Sequence, residues 1–377
     1  MSLAPASLSY PLPLQLQTLQ IQYLWRSWAM RLLDGSTPCS ENRCPSMANL
    51  RIGVIGGGGI AAAHLPRLKQ RSDEVTIVGI ADPGPKAADT AGKFGIKRLV
   101  ADHRELLPDV DAVLVCVPTH LHAPIAIDAL RGGKHVFVEK PITRTAEQAE
   151  QLREAIASSG KALQVGFVRR FDEEWLVWRQ AILDGRIGRP VIWRDIQAVH
   201  WPTRPWFVDE AQGGGPFLDG CIHNYDFALH TFGPAEWAFA HLRTMVSDRT
   251  AFDTGTATIR FRSGDELLLA WSWGLAEGCR GGRVFEMLGP DGTLTWPPDD
   301  PNLTQGRIIL TRPREKQDLR FTPGSLFKGF DNQMDEFIDV CHGRKQPQAG
   351  WQEGRDSLAV ALAVLESARS GRRVDIM

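Results

Sequence analysis

Between Leu50 and Phe167, short apolar runs alternate with helical patterns across connections of a few residues. The runs cover 50–55, 75–81, 111–117, 135–138 and 163–166, with a weak one near Arg98–Val100. Helical patterns cover 60–71, 84–93, 122–131 and 145–158. Parallel strands need long crossovers and are covered on both faces, so they read as unbroken apolar runs. This order therefore predicts βαβ units in a doubly wound parallel sheet. Thr145 followed by Gln148 fits a capping box that opens the last of these helices.

After Phe171 the texture changes. A helix over 172–184 precedes strand-like runs at 191–199, 236–246, 254–262, 266–275, 283–296 and 306–312, with a second helix over 218–231. Ser263-Gly264-Asp265 and Pro290-Asp291-Gly292 read as tight turns, which predicts a largely antiparallel sheet. Helices near 327–342 and 355–370 close the chain. The expected fold class is α/β: an N-terminal Rossmann sheet followed by an α+β domain with a large, open, mostly antiparallel sheet. At 377 residues with 43 % apolar content there is material for two cores. The expected division is a tail over 1–46, a dinucleotide domain over 47–168, and a substrate and oligomer domain over 169–377.

The tail is rich in Leu, Gln, Pro and Ser and has no glycine before Gly35. It reads as a disordered appendage or as sequence upstream of a functional start at Met47. Arg26 and Arg31, with no acid before Asp34, leave a transit-peptide reading open; the tail lacks the compact apolar core and cleavage site of a secretory signal. The net charge of −1 and the lack of a Lys/Arg block argue against nucleic acid and anionic membranes as partners. Six scattered cysteines, without zinc spacing, point to a reducing compartment, the cytoplasm, and to no metal site.

The first apolar run passes into Gly56-Gly57-Gly58-Gly59-Ile60-Ala61, which fits G-x-G-x-x-A with Gly56, Gly58 and Ala61. Such a turn lets backbone N–H groups, here around Gly59 and Ile60, approach a pyrophosphate at a helix N-terminus. Asp82 ends the second run 24 residues past Gly58, near the spacing of a ribose-binding carboxylate. Its charge favours NAD over NADP; Lys86 nearby keeps NADP open. The alternative for Asp82 is a simple cap on the Pro83-Gly84-Pro85 turn.

Two further segments carry chemistry. Val136-Phe137-Val138-Glu139-Lys140-Pro141 ends a predicted central strand on a lysine, at the edge where open α/β sheets bind ligands. Alone, Lys140 is equally a solvent-facing strand end. Gly213-Gly214-Gly215-Pro216-Phe217-Leu218-Asp219-Gly220-Cys221-Ile222-His223 leads into the helix predicted over 218–231. There Asp219 and His223, four apart, share one face, and the carboxylate orients the imidazole. The alternative is a capping aspartate above a packed histidine.

The order of these segments, with Pro118-Thr119-His120-Leu121-His122 and Val165-Gly166-Phe167-Val168-Arg169-Arg170 between them, resembles the glucose–fructose oxidoreductase/inositol dehydrogenase/rhizopine-catabolism (Gfo/Idh/MocA) family. The resemblance runs from about Leu50 to the final helix. It implies that Lys140 is catalytic beside nicotinamide and substrate, with Asp219 and His223 as an acid–histidine pair. It also implies that Pro118, Thr119, His122 and Glu139 line the nicotinamide pocket, that Arg170, a basic position at the domain junction, binds the cofactor, and that Lys140–Pro141 is cis. The implied activity is NAD(P)-dependent hydride transfer with a sugar, inositol or related polyol, in a homodimer or homotetramer. Trp206, in the aromatic segment His200–Phe207, is a candidate sugar-stacking residue; an ordinary Trp-anchored loop is the alternative. His120, at a position where such relatives often carry Asn, and Gly220-Cys221 depart from the family pattern, which makes transfer of a substrate by resemblance unsafe. An NAD-recycling glycosidase or a nucleotide sensor without turnover are the rival functions.

Overall fold

The computed structural model describes residues 49–200, 204–300 and 304–376; the expectations for the 1–46 tail lie outside the described residues. The first sheet contains β1 (Leu50–Ile55), β2 (Val75–Ala81), β3 (Leu99–Val100), β4 (Ala112–Val115), β5 (His135–Val138) and β6 (Leu163–Val165). All pairings are parallel, in the order β3-β2-β1-β4-β5-β6. Helices α1 (Gly59–Gln70), α2 (Lys86–Phe94), α3 (His122–Arg131) and α4 (Ala146–Ser159) make crossovers between these strands. Every residue of β4, Ala-Val-Leu-Val, is buried, as expected of a strand covered on both faces. The order reverses where β1 pairs with both β2 and β4, which opens a crevice at the carboxyl ends of those strands. The Rossmann part of the predicted fold is present.

A helix, α5 (Glu173–Leu183), leads to β7 (Ile192–Val199), and α6 (Ile222–Phe232) then precedes the remaining strands of the second sheet. These are β8 (Ala235–Arg243), β9 (Thr254–Phe261), β10 (Glu266–Ser272), β11 (Arg280–Gly289), β12 (Gly292–Thr295), β13 (Arg307–Arg312), β14 (Glu315–Arg320) and β15 (Val374–Asp375). The order is β14-β13-β12-β11-β7-β10-β9-β8-β15, antiparallel except for β7 with β10. Trp193 of β7 and Phe285 of β11 lie within a cluster with Trp175 of α5 and Phe227 of α6, so one sheet face is buried under helices. The other face carries Ile192, 40 % exposed, and Val284, 39 % exposed.

Three expectations change. The run 283–296 is a hairpin, β11 and β12, folded at Pro290–Asp291. The charged edge strand β14 (Glu-Lys-Gln-Asp-Leu-Arg) and the two-residue β15 have no apolar signature to read, consistent with how edges avoid adhesion. The helix expected over 218–231 is broken: Pro216–Gly220 winds as one wide turn, closed by Cys221 N–H to Pro216 O at 2.7 Å, and α6 starts only at Ile222.

The chain then returns to the first sheet. Helix α7 (Ser325–Cys341) buries Met334, Phe337 and Ile338 in the same cluster as Leu65 and Leu68 of α1 and Phe137 of β5. Arg67 of α1 grips Asp335 of α7 through Nε at 2.8 Å and Nη2 at 2.5 Å. Helix α8 (Trp351–Ser370) packs against α6 and β8.

Candidate active site

The crevice between β1 and β4 holds the glycine turn. Gly56 has φ +93°, and a Cβ there would lie 2.4 Å from Cys116 O, so only glycine lets the two strand ends approach. A Cβ on Gly57 would lie 2.7 Å from Ala87 Cα of α2. The turn is fixed by Thr90 Oγ1, which donates to Gly57 O at 2.8 Å. Asp82 accepts from Gly57 N–H through Oδ2 and from Gly84 N–H through Oδ1, both at 2.6 Å. Asp82 therefore caps its turn, and each of its oxygens keeps one lone pair beyond these bonds. Gly59 has open space where a Cβ would stand, and the first turn of α1 carries no acid. A bare helix N-terminus facing open space beside a carboxylate fits a dinucleotide.

Across the crevice, β5 delivers Glu139 and Lys140, and the Lys140–Pro141 peptide is cis. Glu139 accepts from Lys140 N–H through Oε2 at 3.1 Å and meets His64 Nε2 of α1 through Oε1 at 2.7 Å. His64 is itself set edge-on against Phe137 and Phe330. Lys140 Nζ donates to Asp219 Oδ1 at 3.0 Å and to Asp219 O at 3.1 Å. Thr119 Oγ1 donates to Asp219 Oδ2 at 3.1 Å. Asp219 is 3 % exposed, so this carboxylate is fully engaged. An ammonium has three donors; two are spent, leaving one for another oxygen.

A cavity of about 400 Å³ joins the two clusters. Of the sequence-predicted residues, it brings together Gly58, Gly59 and Ile60 on the glycine side with Pro118, Thr119 and Glu139 on the other. Lys140, Asp219 and Trp206 complete this set. Trp206 stacks on Phe207, ring centroids 3.8 Å apart and planes 22° apart, so a flat aromatic wall faces the cavity. Residues 201–203 of that aromatic segment lie outside the described residues.

Three predicted residues stand elsewhere. Asp219 and His223 do not share a helix face, because the wide turn at Pro216–Gly220 intervenes; the Asp219 carboxylate holds Lys140 and Thr119 instead. His223 is half-buried against Phe167, and no partner meets its buried Nδ1 among the described residues. The protein packed around His223, and then the cations Lys140 and Arg169, push its pKa well below the ordinary value. Arg170 does not line this cavity: it is buried, paired with Asp226 at 2.7 Å, and donates to Gln348 O at 2.7 Å. His122 is 1 % exposed and set between Pro141 O, 2.6 Å from Nδ1, and Val117 O, 2.9 Å from Nε2. It ties the strand end behind Lys140 to the β4 loop instead of lining the cavity.

Comparison with known proteins identifies this arrangement. Residues 50–167 match the model of an oxidoreductase family with an NAD-binding Rossmann fold, and residues 175–295 match the GFO/IDH/MocA C-terminal domain. The chain belongs to the Gfo/Idh/MocA oxidoreductase family. It is similar to a myo-inositol 2-dehydrogenase of Thermotoga maritima, 28 % identical over 87 % of this chain and 98 % of the relative. It is also similar to a 1,5-anhydro-D-fructose reductase of Ensifer adhaerens, 29 % identical over 86 % of this chain and 98 % of the relative. A levoglucosan dehydrogenase solved with NADH and levoglucosan shares the fold, with TM-score 0.75 and 23 % identity over 87 % of this chain and 98 % of that one. NAD is the cofactor of this Gfo/Idh/MocA chain.

Several site residues escaped the sequence. His64 sits mid-helix with no local cue to Glu139, 75 residues away. Arg169, not Arg170, lies on the His223 side: it donates to Asn224 Oδ1 at 2.7 Å and stacks 3.8 Å over Trp175, and burial lowers its pKa to about 10. Two adjacent arginines could be told apart only by the direction each takes from the short turn Val168–Arg170.

Proposed function

We propose that this enzyme oxidises a secondary hydroxyl of a sugar, inositol or related polyol, with Lys140 as the residue that binds the reacting oxygen. The observation that carries this is the Lys140 ammonium: two of its hydrogen bonds are fixed on Asp219, and it faces the same cavity as the glycine turn. Bound NAD+ supplies a hydride acceptor at C4 of its nicotinamide. Loss of hydride from a carbinol carbon requires loss of the hydroxyl proton as well, so the chain must take up that proton. Lys140 aims one N–H at the alcohol oxygen and stabilises the negative charge that builds there. His223 does not line the cavity, but with its pKa lowered by burial and then by the nearby Lys140 ammonium it stays neutral, and in this reading it takes up the proton from behind Lys140. Asp219 is a positioning group for Lys140, and Glu139 holds the Lys140 backbone from below. Trp206 offers its face to sugar C–H groups. Asp82 stands where a 2′-phosphate would meet its charge, which favours NAD over NADP.

In this reading residues 47–168 bind dinucleotide, and residues 169–377 bind substrate and a second copy of the chain. The subunit contact is the uncovered face of the second sheet, where Ile192 and Val284 stand exposed, in a homodimer or homotetramer. No helix among the described residues is long and apolar enough to cross a membrane. The four described cysteines are free, in keeping with the cytoplasm.

The test is NADH absorbance with purified protein, NAD+ and a panel of inositols, aldoses and anhydrosugars. Net NADH formation with at least one polyol is expected. Glycoside cleavage without net NADH would replace this reading with a recycling glycosidase. Tight NAD binding with no turnover on any panel member would make the chain a nucleotide sensor.

A further inference from the structure

The cavity carries four formal charges besides those of any ligand: Glu139, Lys140, Arg204 and Asp219. Three are accounted for internally. Glu139 is met by His64 and by the Lys140 N–H, and Lys140 and Asp219 hold each other. The fourth is not. Arg204 is exposed, and its guanidinium meets no carboxylate or other acceptor among the described residues. It comes from the second lobe, at the start of the short turn Pro205–Val208. Yet its Nη1 lies 3.7 Å from where a Cβ of Gly58 would stand. An unpaired guanidinium is thus held over the glycine turn of the other lobe, beside a helix N-terminus that offers only about half a positive charge.

A dinucleotide brings two phosphate charges to that turn. Guanidinium is planar, always charged and shaped for bidentate contact with phosphate oxygens. We propose that Arg204 is a pyrophosphate-binding residue, so that the second lobe takes part in holding the cofactor and the 204–208 turn is strapped to the glycine turn by the bound dinucleotide. The family fingerprint for this cofactor lies wholly in the first lobe; Arg204 lies 146 residues beyond Gly58. Trp206 and Phe207 follow within the same turn and line the same cavity. Cofactor binding therefore also sets the aromatic wall that the substrate meets, which orders the two ligands: dinucleotide first, carbohydrate second.

The inference rests on NAD binding and not on the identity of the substrate, so it is tested by equilibrium binding. NADH is titrated by fluorescence against wild type, Arg204→Ala and Arg204→Lys, with ADP-ribose, which keeps the pyrophosphate and lacks nicotinamide, as competitor. A charge-assisted contact of this kind predicts a Kd for NADH raised roughly tenfold in the alanine variant. The same factor is expected for ADP-ribose, with partial recovery in the lysine variant. Raising ionic strength should weaken binding to wild type more than to Arg204→Ala. An unchanged NADH Kd in a variant with wild-type circular dichroism overturns the proposal. A rise in substrate KM with NADH and ADP-ribose affinities unchanged also overturns it, because Arg204 then serves an anionic substrate group. If wild type itself failed to bind NADH, the cofactor assignment would fall and not the role of Arg204 alone.

Discussion

Two cation–carboxylate pairs flank the segment 219–226, and they differ in what they face. Lys140 with Asp219 stands at the cavity, with a lysine side chain 18 % exposed and one ammonium donor uncommitted. Arg170 with Asp226 is sealed: the side chains are 7 % and 1 % exposed, and the guanidinium also reaches Gln348 O. Both pairs join residues far apart in sequence, and both cross from the end of the first sheet to the wide turn or helix that follows it. In the proposed reading the first acts on substrate, and the second holds the molecule together. What separates them is exposure at the cavity beside the glycine turn, which Lys140 lines and Arg170 does not.

Exchanging the two roles by mutation is the direct way to break this contrast. Lys140→Met should lower turnover by about 10²–10⁴-fold, as removal of a positioned proton-handling group does, with NADH affinity close to wild type. Steady-state rates beside a fluorescence titration check both halves; a Lys140→Met enzyme with near-normal kcat would sink the assignment. Arg170→Ala should do the reverse. Removing one partner of a buried pair costs about 3–5 kcal/mol of stability, read as a fall in the denaturant midpoint, while kcat per folded molecule stays near wild type.

His223 sharpens the comparison on the acid side. Its lowered pKa means that its protonated form is rare in the native state well below the ordinary histidine value of about 6.5. The acid limb of kcat should therefore lie below pH 6.5, and His223→Ala should remove that limb together with most of the rate.

The smallest expected effect is on stability. His230, whose pKa burial and then Arg170 and Arg179 lower to about 4, binds a proton in the unfolded chain before it does so in the folded one. Between about pH 6.5 and 4 the unfolded state holds more protons, so stability falls as pH falls through that window and levels off below it. His230→Asn should flatten the pH dependence of the melting temperature over the same range. An unaltered slope would show that His230 titrates normally.

What the sequence disclosed follows the range of the interactions involved. β1 to the glycine turn, and β5 to Lys140, are local patterns: apolar runs followed at once by the residues they present. The parallel sheet was legible for that reason. The Asp219–His223 relation was misread because it depended on an unbroken helix, and Pro216 with the wide turn after it removes the regular spacing. The same turn carries Asp219 to Lys140, a contact over 79 residues that no periodicity encodes. Arg170 and His122 were assigned to the cofactor because a charged or aromatic side chain near a ligand site looks alike whether it faces in or out. Burial decided both, and burial is a property of the finished packing.

The return of α7 to α1 has a consequence for how this molecule is made. Leu65 and Leu68, on the helix whose first turn forms the cofactor cradle, share a core with Met334, Phe337 and Ile338. During synthesis the amino-terminal portion leaves the ribosome first. One flank of its leading helix then stays uncovered until residue 341 has emerged, 273 positions after Leu68. A fragment cut after residue 168 would carry that bare flank permanently. A growing chain thus carries an apolar surface for chaperones to shield until its penultimate helix has been made.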